Sequence, residues 1–171
     1  MKYFYIPLFV MLAAAPLLVS CSDDDDDDNT VTPPAEFEAQ NADFAGFTSW
    51  GQPAGPHMGP DPAEIGNAHG ADNSNNQRFI YLNNADADRS NGEFPIGTIF
   101  VKRVVDENDQ VLAVTAMAKR GNDFDPNNND WEWFLLDNST GEILNRGADL
   151  MGGACAGCHS QNASQDYVWA K

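Results

Sequence analysis

Thr98-Ile99-Phe100-Val101-Lys102-Arg103-Val104-Val105 is followed by Asp106-Glu107-Asn108-Asp109-Gln110 and then by Val111-Leu112-Ala113-Val114-Thr115-Ala116-Met117-Ala118-Lys119. Two runs rich in β-branched residues around five polar ones make the pattern of an antiparallel hairpin, because branched side chains suit a pleated surface and polar residues suit a turn. Successive side chains of a strand point to opposite faces. Thr98, Phe100, Lys102 and Val104 therefore share one face, and Ile99, Val101, Arg103 and Val105 share the other.

Outward from the hairpin, Arg78 to Leu82 reads as a short strand, and the polar stretch Asn83 to Asn91 as a helical turn. Trp131 to Asp137 is a further strand, which turns at Asn138-Ser139-Thr140-Gly141 into Glu142 to Asn145. Nearer the start, Phe37, Phe44, Phe47 and Trp50 recur at helical spacing, and the pattern predicts a helix from Ala42 to Trp50, capped by Asn41 and ended by Gly51 and Pro53. Its aromatic stripe reads as core packing, with the lining of a cofactor pocket as the alternative. Gly51 to Asn76 is rich in Gly, Pro, Asn and Asp and predicts irregular chain; it holds His57, Met58 and His69. The fold class is α+β: an antiparallel sheet of four to five strands with short helices, the last of them at the carboxyl end.

That end reads Cys155-Ala156-Gly157-Cys158-His159. Cys-x-x-Cys-His is the attachment signature of a c-type haem. Two thiols about one helical turn apart can add to the two vinyl groups on one edge of the macrocycle, and the next residue brings an imidazole beneath the iron as proximal ligand. Gly152, Gly153 and Gly157 would let the backbone approach the flat ring. A thioredoxin-like dithiol needs a βαβ setting, and only 12 residues follow His159. Zinc would need two further ligands, for which His57 and His69 are the remaining histidines.

Met1 to Ser20 carries Lys2 and a short apolar stretch interrupted by Pro7 and Pro16, which fits an export signal better than a membrane span. Leu18-Val19-Ser20-Cys21 is similar to a bacterial lipobox, with Cys21 the acylated residue; a plain signal peptide with an unpaired cysteine is the alternative. On the lipobox reading, one cysteine goes to lipid and two to haem, so no disulfide forms and core and cofactor carry the stability. Asp23 to Asp28 and the polar, proline-containing residues after them make 21–35 a solvated tether. An acidic run after a lipidated cysteine also resembles the surface-export signal of Bacteroidetes lipoproteins, with a simple spacer as the alternative. The expected location is therefore the outer membrane or cell surface, held by the lipid anchor alone. Residues 36–171 form one domain.

The whole chain has a net charge of −17, with 9 Lys and Arg against 26 Asp and Glu. Such a surface repels nucleic acid and suits a basic redox partner protein. No Gly-rich phosphate loop or Ser-His-Asp pattern supports a nucleotide or hydrolase reading.

Gly92-Glu93-Phe94-Pro95 leading to Gly97-Thr98-Ile99-Phe100-Val101-Lys102 resembles the corresponding stretch of the cytochrome P-460 family. So do Trp131-Glu132-Trp133-Phe134, the late Cys155-x-x-Cys158-His159 and Asp166-Tyr167-Val168-Trp169, in an order that covers roughly Phe79 to Trp169. The resemblance implies an antiparallel sheet with short helices, usually a homodimer, and a haem c whose distal face lacks a protein ligand. It implies binding or oxidation of small nitrogen compounds, nitric oxide or hydroxylamine; the related cytochromes c′-beta bind nitric oxide behind an aromatic cap. In the oxidising members a strand lysine is bonded to the haem ring, and Lys102 falls at that position. An amine must be neutral to attack carbon, which desolvation against a porphyrin would favour. The bland reading of Lys102 is a snorkelling surface lysine.

Two further functions stand beside this one. A tethered electron-transfer cytochrome would take a distal ligand from Met58, Met117, Met151, His57 or His69, with Met117 better read as core and Met151 too near the attachment helix. A non-catalytic module with structural haem is compatible with the acidic surface but has no specific support.

Overall fold

The structure, a computed structural model, describes residues 36–58, 69 and 75–170. The export signal, Cys21 and the tether lie outside them. The chain divides after Val31, and every described residue belongs to the unit Thr32–Lys171. No helix among the described residues is long and apolar enough to cross a membrane.

Six strands run in chain order across one antiparallel sheet: β1 (Gly51–Met58), β2 (Gln77–Leu82), β3 (Ile99–Val105), β4 (Val111–Lys119), β5 (Trp131–Leu136) and β6 (Ile143–Gly147). The helix α1 (Ala154–His159) follows and continues as a 3-10 turn, Ser160–Gln165. The α+β class is as expected, and the β3–β4 hairpin is the centre of the sheet. In its register Lys102 lies opposite Thr115 and Phe100 opposite Met117. On the flanks, Lys102 also faces Ile80 of β2, and Met117 faces Trp133 of β5.

Two sequence expectations change. The sheet has one strand more than expected, because Gly-Gln-Pro-Ala-Gly-Pro-His-Met forms β1. Proline has no N–H to give a ladder, so it is tolerated only at an edge or a bulge. β1 is the edge strand, and its register shifts between Gly51 and Ala54 and again between Ala54 and His57, the two intervals that hold Pro53 and Pro56. The helix expected over Ala42 to Trp50 is two 3-10 turns, Asn41–Phe44 and Phe47–Ser49. Gly46 between them sits at φ 67°, a left-handed conformation that breaks the helical run. Gln40 takes the capping position, its backbone N–H donating to Asp43 at 2.7 Å. Asn41 instead accepts the backbone N–H of Ile143 and ties the turn to β6.

Both faces of the sheet are buried. On the first, Ile99, Val101, Val114, Ala116, Phe134 and Leu136 pack against Phe44 and Phe47 from the amino-terminal turns. This confirms the aromatic stripe as core. On the second, Leu82, Phe100, Met117, Trp131 and Trp133 pack against Leu150, Ala156 and Val168 from the carboxyl-terminal segment. The faces differ because side chains alternate along β3, β4 and β5. The Cys-x-x-Cys-His helix thus belongs wholly to the second face, the one that carries Phe100 and Lys102.

Candidate functional site

α1 is launched by a left-handed stretch: Met151, Gly152 and Gly153 have φ of 55°, 65° and 80°. A Cβ on Gly153 would also meet Asp149 Oδ1 at 3.0 Å. The two leading glycines therefore meet a local backbone requirement for positive φ. α1 buries Ala156 into the second-face core. Cys155 and Cys158, three residues apart, are neighbours on the helix surface and half-buried. Burial, and then the neighbouring Cys158, push the Cys155 thiol above its ordinary pKa.

His159 ends α1. Its Nδ1 lies 2.6 Å from the backbone carbonyl of Tyr167, a contact that makes Nδ1 the protonated nitrogen. A metal would then be bound through Nε2. Trp133 packs on the same imidazole, ring centres 4.7 Å apart.

The carbonyl that holds His159 is itself fixed. Asp166 and Tyr167 both adopt left-handed φ, 54° and 65°. The Asp166 side chain is fully buried and accepts from Phe94 N–H at 2.7 Å, Asn129 Nδ2 at 2.7 Å and Trp131 Nε1 at 3.0 Å. Lys119 Nζ completes the set at 3.0 and 3.2 Å from its two oxygens. Lys119 follows Thr115 and Met117 on the second face of β4, and its ammonium also lies over the Trp131 ring. This cluster was not singled out from the sequence. A lysine closing an otherwise apolar strand, and an acid inside Asp-Tyr-Val-Trp, were the signals that could have found it.

Across from His159 stands His69. The ring centres are 6.4 Å apart and the planes only 24° from parallel. His69 Nδ1 is 3.3 Å from the Thr115 hydroxyl on β4. Lys102, half-buried, is the β3 partner of Thr115, so it flanks the same spot. The other distal candidates fall away or lie beyond view. Met117 is buried in the second-face core, as expected, and Met151 is 55% exposed in the turn before α1. For His57 and Met58, which close β1, only the backbone is described.

These residues suit a haem. Two thiols stand one turn apart beside an imidazole whose Nδ1 is engaged, and the wall is apolar and aromatic. Trp133 Nε1 is buried with no hydrogen-bond partner among the described residues. A lone buried N–H donor beside His159 suits a carboxylate-bearing group such as a haem edge. Zinc is less well served, since no cluster of three His, Cys, Asp or Glu side chains among the described residues could cage a metal.

The sequence profile named Cytochrome P460 matches residues 61–170. The chain belongs to the cytochrome P460 family. The match takes in β2 to the carboxyl-terminal segment, and so the second face with both of its walls. Family membership makes this a c-type haem protein, and the two carboxyl-terminal cysteines that such a protein needs are in place. No curated protein matches the chain.

Proposed function

We propose that this cytochrome P460 domain is a redox protein for small nitrogen compounds, nitric oxide or hydroxylamine, met on the iron face opposite His159. In this reading Cys155 and Cys158 bind the haem by thioethers and His159 is the proximal ligand. When bound, the haem supplies an iron that takes a small ligand and cycles between ferric and ferrous states. The observation that carries the reading is the second face of the sheet, where the Cys155–His159 helix packs on the apolar surface of the strands whose register also puts Lys102 on that face. The Tyr167 carbonyl orients His159, and Trp133 shields it from water. Phe94, Phe100 and Trp131 form an aromatic cluster on the same face. Lys102, desolvated beside a porphyrin, would lose its proton readily and become a nucleophile.

Cys21 would anchor the domain to a membrane by its lipid, on the outer membrane or cell surface, with a homodimer as the working form. A second reading, a tethered electron-transfer cytochrome, is favoured by His69, whose ring faces that of His159.

Mass spectrometry of the digested holoprotein tests the first reading. Haem is expected on the Cys155–Cys158 peptide and, for an oxidising enzyme, on the Lys102 peptide as well. Haem on the cysteine peptide alone would exclude the oxidising enzyme and fit reversible ligand binding or electron transfer instead. No haem on either peptide would sink both.

A further inference from the structure

We infer that Trp133 anchors the haem through its indole: the Nε1–H donates a hydrogen bond to a propionate carboxylate of the haem and so tunes the potential of the iron. The inference rests on the haem being carried by Cys155, Cys158 and His159, as proposed above.

Three observations carry it. The first is burial. Trp133 is 3% exposed, and its Nε1 is buried with no hydrogen-bond partner among the described residues. Buried N–H donors are almost always paired, so one without an acceptor points to a group that the chain itself does not supply. The second is a contrast within one strand. Trp131, on the same face of β5 and also buried, has its Nε1 paired with Asp166 at 3.0 Å. The fold thus provides an acceptor for one indole and none for the next. Two acceptors of this wall are already committed: Asp166 to Phe94, Lys119, Asn129 and Trp131, and the Tyr167 carbonyl to His159.

The third observation is place. The Trp133 ring lies against the His159 imidazole, with ring centres 4.7 Å apart. It shares a core with Ala156 of α1, and Cys155 packs against that core. The orphaned donor therefore borders the helix that carries all three haem-attaching side chains. A haem held there brings few acceptors. Its ring nitrogens bind the iron, and its periphery is hydrocarbon apart from the propionate carboxylates. A carboxylate is also the stronger kind of partner for an N–H, because the bond is charge-assisted.

The alternative is that Trp133 supplies bulk alone. Bulk needs no N–H, and phenylalanine would fill the same wall without leaving a buried donor unmet. With the bond formed, the indole draws on the negative charge of the carboxylate. That charge favours ferric iron, so the bond raises the midpoint potential.

The test uses the covalently loaded holoprotein. Its readouts are the midpoint potential, from an optical redox titration, and the propionate bending band in the resonance Raman spectrum. Trp133→Phe keeps an aromatic ring against His159 and loses the N–H. Benzothienylalanine incorporated at position 133 keeps the fused-ring shape as well, with sulfur in place of the N–H. Both proteins are expected to retain haem on the Cys155–Cys158 peptide, to have a lower midpoint potential than the wild type, and to show a shifted propionate band. An unmoved band or an unmoved potential in the benzothienylalanine protein would overturn the inference while leaving the haem reading intact. Any shift in Trp133→Phe would then be an effect of packing. A wild type without covalent haem would instead overturn the reading beneath it.

Discussion

At the scale of single residues, Asp166 accepts more hydrogen bonds than any other acid among the described residues. Its buried carboxylate collects donors from β4, β5, the loop before β5 and the segment before β3. The next residue, Tyr167, supplies the carbonyl on His159. Breaking a buried ion pair from one side leaves an uncompensated charge, so Asp166→Ala should destabilise the protein by about 3–5 kcal/mol, read from urea unfolding. Asp166→Asn keeps the shape and some of the acceptors and is the better probe of function. A carbonyl that accepts the Nδ1 proton makes an imidazole a stronger donor to its metal and favours the ferric state. Loosening Tyr167 in Asp166→Asn should therefore raise the midpoint potential of the bound haem. Asp166 is then a positioning residue for the proximal ligand. An unchanged potential beside a lowered stability would make it purely structural.

At the scale of elements, the two hairpin turns are organised by carboxylates. Asp106 accepts the backbone N–H groups of Asn108 and Gln110 between β3 and β4, and these hold its carboxyl below the ordinary range. Asp137 does the same between β5 and β6 for Ser139 and Thr140, with both hydroxyls added. Side-chain and backbone hydrogen bonds, the Ser139 hydroxyl foremost, lower its pKa to about 2. A carboxylate with a lowered folded pKa binds protons more tightly when unfolded, so its contribution is complete above the ordinary value near 4 and is lost as pH falls towards about 2. Asp137→Asn should therefore be less stable than wild type at pH 7, and the difference should close between about pH 4 and pH 2. Urea midpoints across that range read it, and a gap that persists at pH 2 would reject the assignment. These turns were legible in the sequence because Asp and Asn beside Ser, Thr and Gly announce turn chemistry locally. β1 was not: its prolines argue against a strand, and only an edge with bulges at those prolines reconciles them. The amino-terminal turns failed as a helix for the opposite reason. Aromatic spacing gave the correct buried face, but it says nothing of Gly46 turning left-handed.

At the scale of the whole molecule, each end of the described chain covers one face of the sheet, and the site lies where the carboxyl end does so. The attachment motif was legible because five adjacent residues carry it. The opposite wall was not, since its candidate side chains lie on three separate stretches of sequence, and nothing local in them says that His69 comes within 3.3 Å of the Thr115 hydroxyl on β4. Charge is a property of this scale too, and it governs how the iron exchanges electrons. Residues 36–171 hold eight Lys and Arg against twenty Asp and Glu, a net −12 that persists without the tether. Several cations are already engaged: Arg120 and Arg146 with Glu132, and Lys119 with Asp166. The remaining acids dominate the outer field. An approaching oxidant feels that field over a Debye length of about 30 Å at 0.01 M salt but only about 8 Å at 0.15 M. Oxidation of the ferrous holoprotein by a cationic cobalt complex should therefore slow as salt rises over this range, and oxidation by ferricyanide should speed up. Stopped-flow rates at matched driving force read both slopes. Slopes of the same sign, or none, would mean that the iron is reached through a locally neutral surface, and a basic partner protein would then have no kinetic advantage.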